Sequence, residues 1–238
     1  MSLKEPSGQP LIPGLYARVN REQIAVVRQA LPVEAVAAVA KLVTSEDPDF
    51  WMSARWQQLL QIGEIPMRSY HRAAKVGHGA LGAFVDTYQS VRQTLIHGAE
   101  HDPATVIDPV GLRVPRRLTP MVNLYGFEGG MAEHTDKNPR HFGAVVVFAL
   151  TEGHQFHATR KDGEVVSVTM NPGDIVVSPT TDLFTAQSRV YPEGSPNAWY
   201  MPPHGVPANR TGMDDYSLVL TAGERTPIET MPPMGELL

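Results

Sequence analysis

Apolar positions change their spacing near residue 118. Upstream they recur at helical intervals. Arg21 to Leu31 places Ile24, Val27 and Leu31 on one side and predicts a helix. Pro32 suits the first turn of a second helix, where its missing N–H costs nothing, and Val33 to Val43 continues it. Asp49 to Ile62 predicts a third, with Asp47 or Asp49 as cap. Gly79 to His97 predicts a long fourth with one stripe of Leu81, Phe84, Val85, Tyr88, Val91 and Leu95.

Downstream the runs are short and alternating, punctuated by Gly and Pro. Strands are expected at Leu118 to Tyr125, Gly143 to Leu150, Gln155 to Arg160, Glu164 to Thr169, Asp174 to Ser178, Leu183 to Thr185 and Tyr216 to Thr221. Asp162-Gly163 between two of these runs predicts a hairpin. Many short strands with close turns indicate a sandwich or barrel. The Pro-rich stretch from Ser188 to Asn209, with Trp199 and Tyr200, reads as a long loop and a candidate lid. Together these elements predict one α+β domain over residues 1–238. Residues 1–117 are mainly helical support, 118–222 the β core and 223–238 a C-terminal tail.

Composition narrows the chemistry. With no cysteine there is neither a disulfide framework nor a thiolate metal site, so a metal must use His, Asp or Glu. A net charge of −5 opposes a nucleic-acid partner, and Arg113, Arg116 and Arg117 read as a solvated loop face. No run of 18 apolar residues and no signal-peptide pattern is present, so no membrane partner and a cytoplasmic location are expected.

His134-Thr135-Asp136 is the only His-x-Asp in the chain. On an extended segment, residues i and i+2 share a face and can take adjacent positions on one ion. A third ligand from a distant strand completes two His and one carboxylate, which leaves positions open for co-substrate and dioxygen. His204 is the candidate third ligand. No other His lies between His157 and His204, and His154 and His157 follow too closely to sit on a strand beside the first pair. Asn171-Pro172-Gly173-Asp174 opens a buried strand, as barrels of the cupin type often have.

From Met121 to Leu220 the chain resembles the double-stranded β-helix (jelly-roll, cupin-like) core of Fe(II)/2-oxoglutarate dioxygenases. Asn123-Leu124-Tyr125 followed by His134-Thr135-Asp136-Lys137 is similar to the AlkB-type branch, and the strand start at Gly173-Asp174 and His204-Gly205-Val206 also match. The resemblance implies that His134, Asp136 and His204 ligate Fe(II), and that Asn123 and Tyr125 hydrogen-bond the carboxylates of 2-oxoglutarate. Family members usually start the last strand with Arg-x-Ser or Arg-x-Asn, the Arg gripping the distal carboxylate as a bidentate pair. This chain has Asp215-Tyr216-Ser217. Ser217 keeps its place, and Arg210 is the candidate anchor, with Arg225 and Arg140 as alternatives.

The activity so implied consumes O2 and 2-oxoglutarate to oxidise an unactivated C–H bond. Asp136, where related halogenases carry Gly or Ala, favours hydroxylation, desaturation or demethylation. A small-molecule substrate, such as an amino acid or natural-product intermediate, fits the acidic balance. The alternatives are an AlkB-like demethylase of nucleic acid or protein, and a non-catalytic cupin-like binding module. Arg68, Tyr70, Glu133, Arg140, Trp199 and Asp214 are the polar residues available to line a pocket. The oligomeric state is not legible.

Overall fold

The computed structural model describes residues 8–22, 24–43, 68–70, 78–104, 117–134, 141–160, 162–180 and 203–223. Among these residues three helices, α1 (Leu15–Glu22), α2 (Val33–Val43) and α3 (His78–His101), accompany ten strands. The strands are β1 (Ala25–Val27), β2 (Arg68–Tyr70), β3 (Arg117–Tyr125), β4 (Met131–His134) and β5 (His141–Ala149). They continue with β6 (His154–Thr159), β7 (Val165–Met170), β8 (Ile175–Thr180), β9 (His204–Val206) and β10 (Asp215–Gly223).

The described strands form two antiparallel sheets. The larger has the order β1-β8-β5-β10-β3-β2 and the smaller β4-β9-β6-β7. Their inner faces pack Val145, Val147, Ala149, Val176 and Val219 against Phe156, Ala158, Val168 and Met170. The opposite face of the large sheet carries Val122, Leu124, Val146, Phe148, Ile175, Val177 and Leu218, and the helices cover it. The strand pattern predicts a sandwich or barrel, and the two facing sheets with helices outside are the double-stranded β-helix that the family resemblance implies.

Helix α3 buries Leu81, Phe84, Tyr88, Val91 and Leu95, so the expected stripe is the packing face. Each such side chain stabilises by about 1.5–3 kcal/mol. Phe84 meets Phe148 at 5.1 Å between ring centroids, and the Tyr88 hydroxyl donates to the Ala144 carbonyl of β5 at 2.8 Å.

Two expectations are corrected. Arg21 to Leu31 is not one helix: α1 ends at Glu22 and β1 follows. Leu15 and Val19 supply the buried side of α1. The run Ile24-Ala25-Val26-Val27, β-branched except at Ala25, suits a strand, and Ala25, Val26 and Val27 pair with Val177, Val176 and Ile175. The stretch from Ser188 to Asn209 is not loop throughout, because His204–Val206 forms β9 between β4 and β6. Strands β2 and β4 add pairings that the periodicity does not reveal. The expected helix at 49–62, the strand at 183–185 and the loop portion 188–202 lie outside the described residues.

The turn before β8 ties the sheet to the N-terminal segment. The Asp174 N–H donates to the Asn171 carbonyl at 2.9 Å, with Pro172 and Gly173 at its centre. Gly173 has φ +94°, and a Cβ there would lie 2.7 Å from the Leu31 carbonyl oxygen. The Asp174 carboxylate accepts from the N–H groups of Gln29 (2.9 Å) and Asn171 (3.0 Å) and from Arg28 Nη1 (2.7 Å). Burial raises its pKa, but the two backbone donors and the Arg28 guanidinium outweigh burial and leave it below the usual carboxylate value. A depressed folded pKa means stabilisation that is complete above the unfolded value and lost as pH falls through the folded one. Asp174→Ala is therefore expected to lower unfolding free energy by about 2–4 kcal/mol at pH 7. In urea melts from pH 7 to pH 3 the gap to wild type should narrow on acidification; a constant gap would count against this account.

Candidate active site

The inner face of the large sheet changes character along its length. Val219 and Val147 are apolar, but toward the start of β10 the inward positions become Ser217 and Asp215. In register beside them on β3 are Asn123, opposite Ser217, and Tyr125, opposite Asp215. Asn123, Tyr125 and Ser217 are all buried. Sequence reasoning therefore brings three of its four co-substrate residues to one patch.

Burial holds the Tyr125 phenol well above its ordinary pKa of 10.0. Asp215 raises it further, and the neighbouring Ser217 and Asn123 only partly oppose this. The hydroxyl thus stays protonated and can donate a hydrogen bond. Tyrosinate absorbance is the check. Curves for wild type and Tyr125→Phe should coincide until alkaline unfolding, whereas an extra group titrating near 10 in the wild type would contradict the burial argument.

The small sheet brings the histidines together. His134 on β4 is the direct cross-strand partner of His204 on β9, although the two are 70 residues apart. Directly opposed residues of an antiparallel pair share a face, with Cβ atoms about 4.5–5.5 Å apart. His204 is in turn opposite Ala158 of β6, which lies in the inter-sheet core. Its ring stacks on Phe156 at 5.7 Å between centroids and 19° between planes. Positions 134 and 204 therefore belong to the inner face. The neighbouring Glu133 is exposed and accepts from Thr159 Oγ1 at 2.6 Å, as alternation requires.

Close approach of the short strands depends on glycine. A Cβ on Gly205 would lie 2.6 Å from the Met131 carbonyl oxygen and 2.9 Å from the His157 ring, and one on Gly130 would lie 2.6 Å from the Val206 carbonyl oxygen. Gly205→Ala must push β9 from one of its neighbours. Such overpacking costs about 1–3 kcal/mol, or very roughly 2–10 °C in Tm. A calorimetric melt that matches wild type would show that β9 has slack.

Other candidates are placed less favourably. Arg210 is exposed in the turn after β9, whereas the three residues of the patch are buried. Positions Arg68 and Tyr70 pair with Leu124 and Val122, which puts them on the helix-covered face and not in the interior. Asp214 is exposed beside Gly126. Asp136, Arg140, Trp199 and Arg225 lie outside the described residues. Among the described residues no three His, Asp or Glu side chains form a metal-binding group, and no helix is long and apolar enough to cross a membrane.

One pair escaped the sequence reading. His154 is fully buried at the start of β6, with Nδ1 2.7 Å from Asp215 Oδ2 and its ring 5.9 Å from that of Tyr125. The partners are 61 residues apart, and only the burial of both strands joins them. The one signal in the sequence was Asp215 itself, a carboxylate where an Arg was expected.

No family model and no curated protein matches the chain. Solved structures do. A prolyl-4-hydroxylase from Pseudomonas putida is similar at a TM-score of 0.57 and 16% identity, over 89% of this chain and 98% of that one. A Trichoplax adhaerens prolyl hydroxylase, solved with a hypoxia inducible factor peptide fragment, gives 0.61 and 13% over 88% and 87%. The epimerase SnoN of nogalamycin biosynthesis, solved with Fe3+, alpha ketoglutarate and nogalamycin RO, gives 0.56 and 16% over 88% and 82%. The chain shares the double-stranded β-helix fold of Fe(II)/2-oxoglutarate oxygenases.

Proposed function

We propose that this protein is an Fe(II)/2-oxoglutarate-dependent dioxygenase acting on a C–H bond of a small molecule, with His134, Asp136 and His204 as metal ligands. The observation that carries the reading is the cross-strand pairing of His134 with His204 on the inner face of the small sheet. Two imidazoles and a carboxylate two residues from the first fit a hard-to-borderline divalent ion with open positions. The protonated Tyr125 hydroxyl and the buried Asn123 amide fit the carboxylate groups of a 2-oxo acid facing those ligands.

When bound, the centre supplies dioxygen activation coupled to decarboxylation of 2-oxoglutarate to succinate and CO2. The chain's own residues bind, orient and exclude water. Phe156 fixes the plane of the His204 ring by stacking. Tyr125 packs with Val206 and Met131 across the gap between the sheets. Tyr125, Asn123 and Ser217 offer polar groups in a wall otherwise closed by the valines of β5 and β10, so a charged co-substrate meets hydrogen-bonding groups instead of water. A net charge of −5 favours a small molecule over a polyanion as substrate.

Single replacement by Ala of His134, Asp136 or His204 should weaken Fe(II) binding by about 100-fold or more, since even outer-shell changes cost 10–100-fold. Succinate release from 2-oxoglutarate should disappear with it. Retained iron binding and succinate formation in any of the three would remove that residue from the ligand set.

A further inference from the structure

We infer that His154, held by Asp215, is the residue that binds the distal carboxylate of the 2-oxo acid inside the barrel, in place of the arginine expected on the last strand. The inference rests on the dioxygenase reading above and names the residue that reads its co-substrate.

Four observations carry it. The strand position that should hold Arg holds Asp215, and the described part of β10 has no cation on its inner face. His154 is 0% exposed, and its Nε2 has no hydrogen-bond partner among the described residues, which costs free energy unless a ligand satisfies it. The geometry fixes the protons: a carboxylate only accepts, so Nδ1 donates to Asp215 and Nε2 is left for a second partner. Asp215 is itself held, accepting from Thr151 Oγ1 at 2.5 Å, while Thr151 Oγ1 accepts from the Tyr216 N–H at 2.9 Å.

The pair lies beside the Tyr125 ring and next to Ser217 along β10. A carboxylate there would accept from an Nε2–H, with Asp215 held on the other ring nitrogen. The unit Asp215–His154 thus does with two strands what an Arg does with one side chain. Arg210 is exposed in its turn, whereas His154 is fully buried beside Tyr125.

The test is calorimetric titration of the Zn(II)-loaded protein with 2-oxoglutarate and with 2-oxopentanoate, which has a methyl group in place of the distal carboxylate. Wild type should prefer 2-oxoglutarate by about 10- to 100-fold, the worth of a charged hydrogen bond. His154→Gln should lose that preference with 2-oxopentanoate affinity unchanged, His154→Lys should keep much of it, and Arg210→Ala should keep all of it. A folded His154→Gln with wild-type preference overturns the assignment, as does loss of the preference in Arg210→Ala.

Should His154 variants not fold, 15N-histidine spectra of the wild type decide. One imidazole Nε2 should gain a hydrogen bond, read as a shift of its 15N resonance, on adding 2-oxoglutarate and not on adding 2-oxopentanoate; no such change overturns the assignment. If the wild type binds metal but neither 2-oxo acid, the dioxygenase reading fails and takes this inference with it.

Discussion

The register of β10 between β3 and β5 is the constraint on which the site depends. Its alternate residues are committed to opposite tasks. Tyr216 and Leu218 enter the core under the helices, while Asp215, Ser217 and Val219 enter the space between the sheets. A slip of one residue would exchange the two sets and bury Asp215 in the helix-covered core. The apolar set therefore fixes the polar one: packing of Leu218 between Val122 and Phe148 holds Ser217 beside Asn123 and Asp215 beside Tyr125.

The small sheet solves a different problem. It is built from short strands, and β9 has only three residues, too few to set its own position by burial. Its register comes from neighbours on both sides, β4 and β6, and from glycines that let the backbones close up. The cost is sequence freedom at Gly130 and Gly205. What it secures is a facing pair of histidines contributed by segments 70 residues apart.

Legibility followed the strength of the local pattern. Helices α2 and α3 and strands β3, β5, β6, β7, β8 and β10 were readable because each carries a continuous stripe or alternation. Residues 21–31 misled because Ile24, Val27 and Leu31 fit helical spacing, while pairing to β8 decided for a strand at 25–27. β9 was hidden inside a Pro-rich stretch, since three residues cannot show a period. Asn123, Tyr125 and Ser217 were legible through a family pattern and fell into one patch. His154 was not, because its meaning depends on Asp215, and no local pattern links residues 61 apart.

The departure at Asp215 and the burial of His154 explain one another. A lone aspartate on the inner face would be an uncompensated charge between the two sheets, and a lone buried histidine would leave both ring nitrogens without partners. Joined, each removes the other's larger cost. What remains is one unsatisfied nitrogen, Nε2, in the wall that also carries Tyr125 and Ser217. A fold that keeps this remainder in its interior has the arrangement expected of a wall completed by a ligand, because buried pairs that serve stability alone can often be exchanged for well-packed apolar side chains without loss.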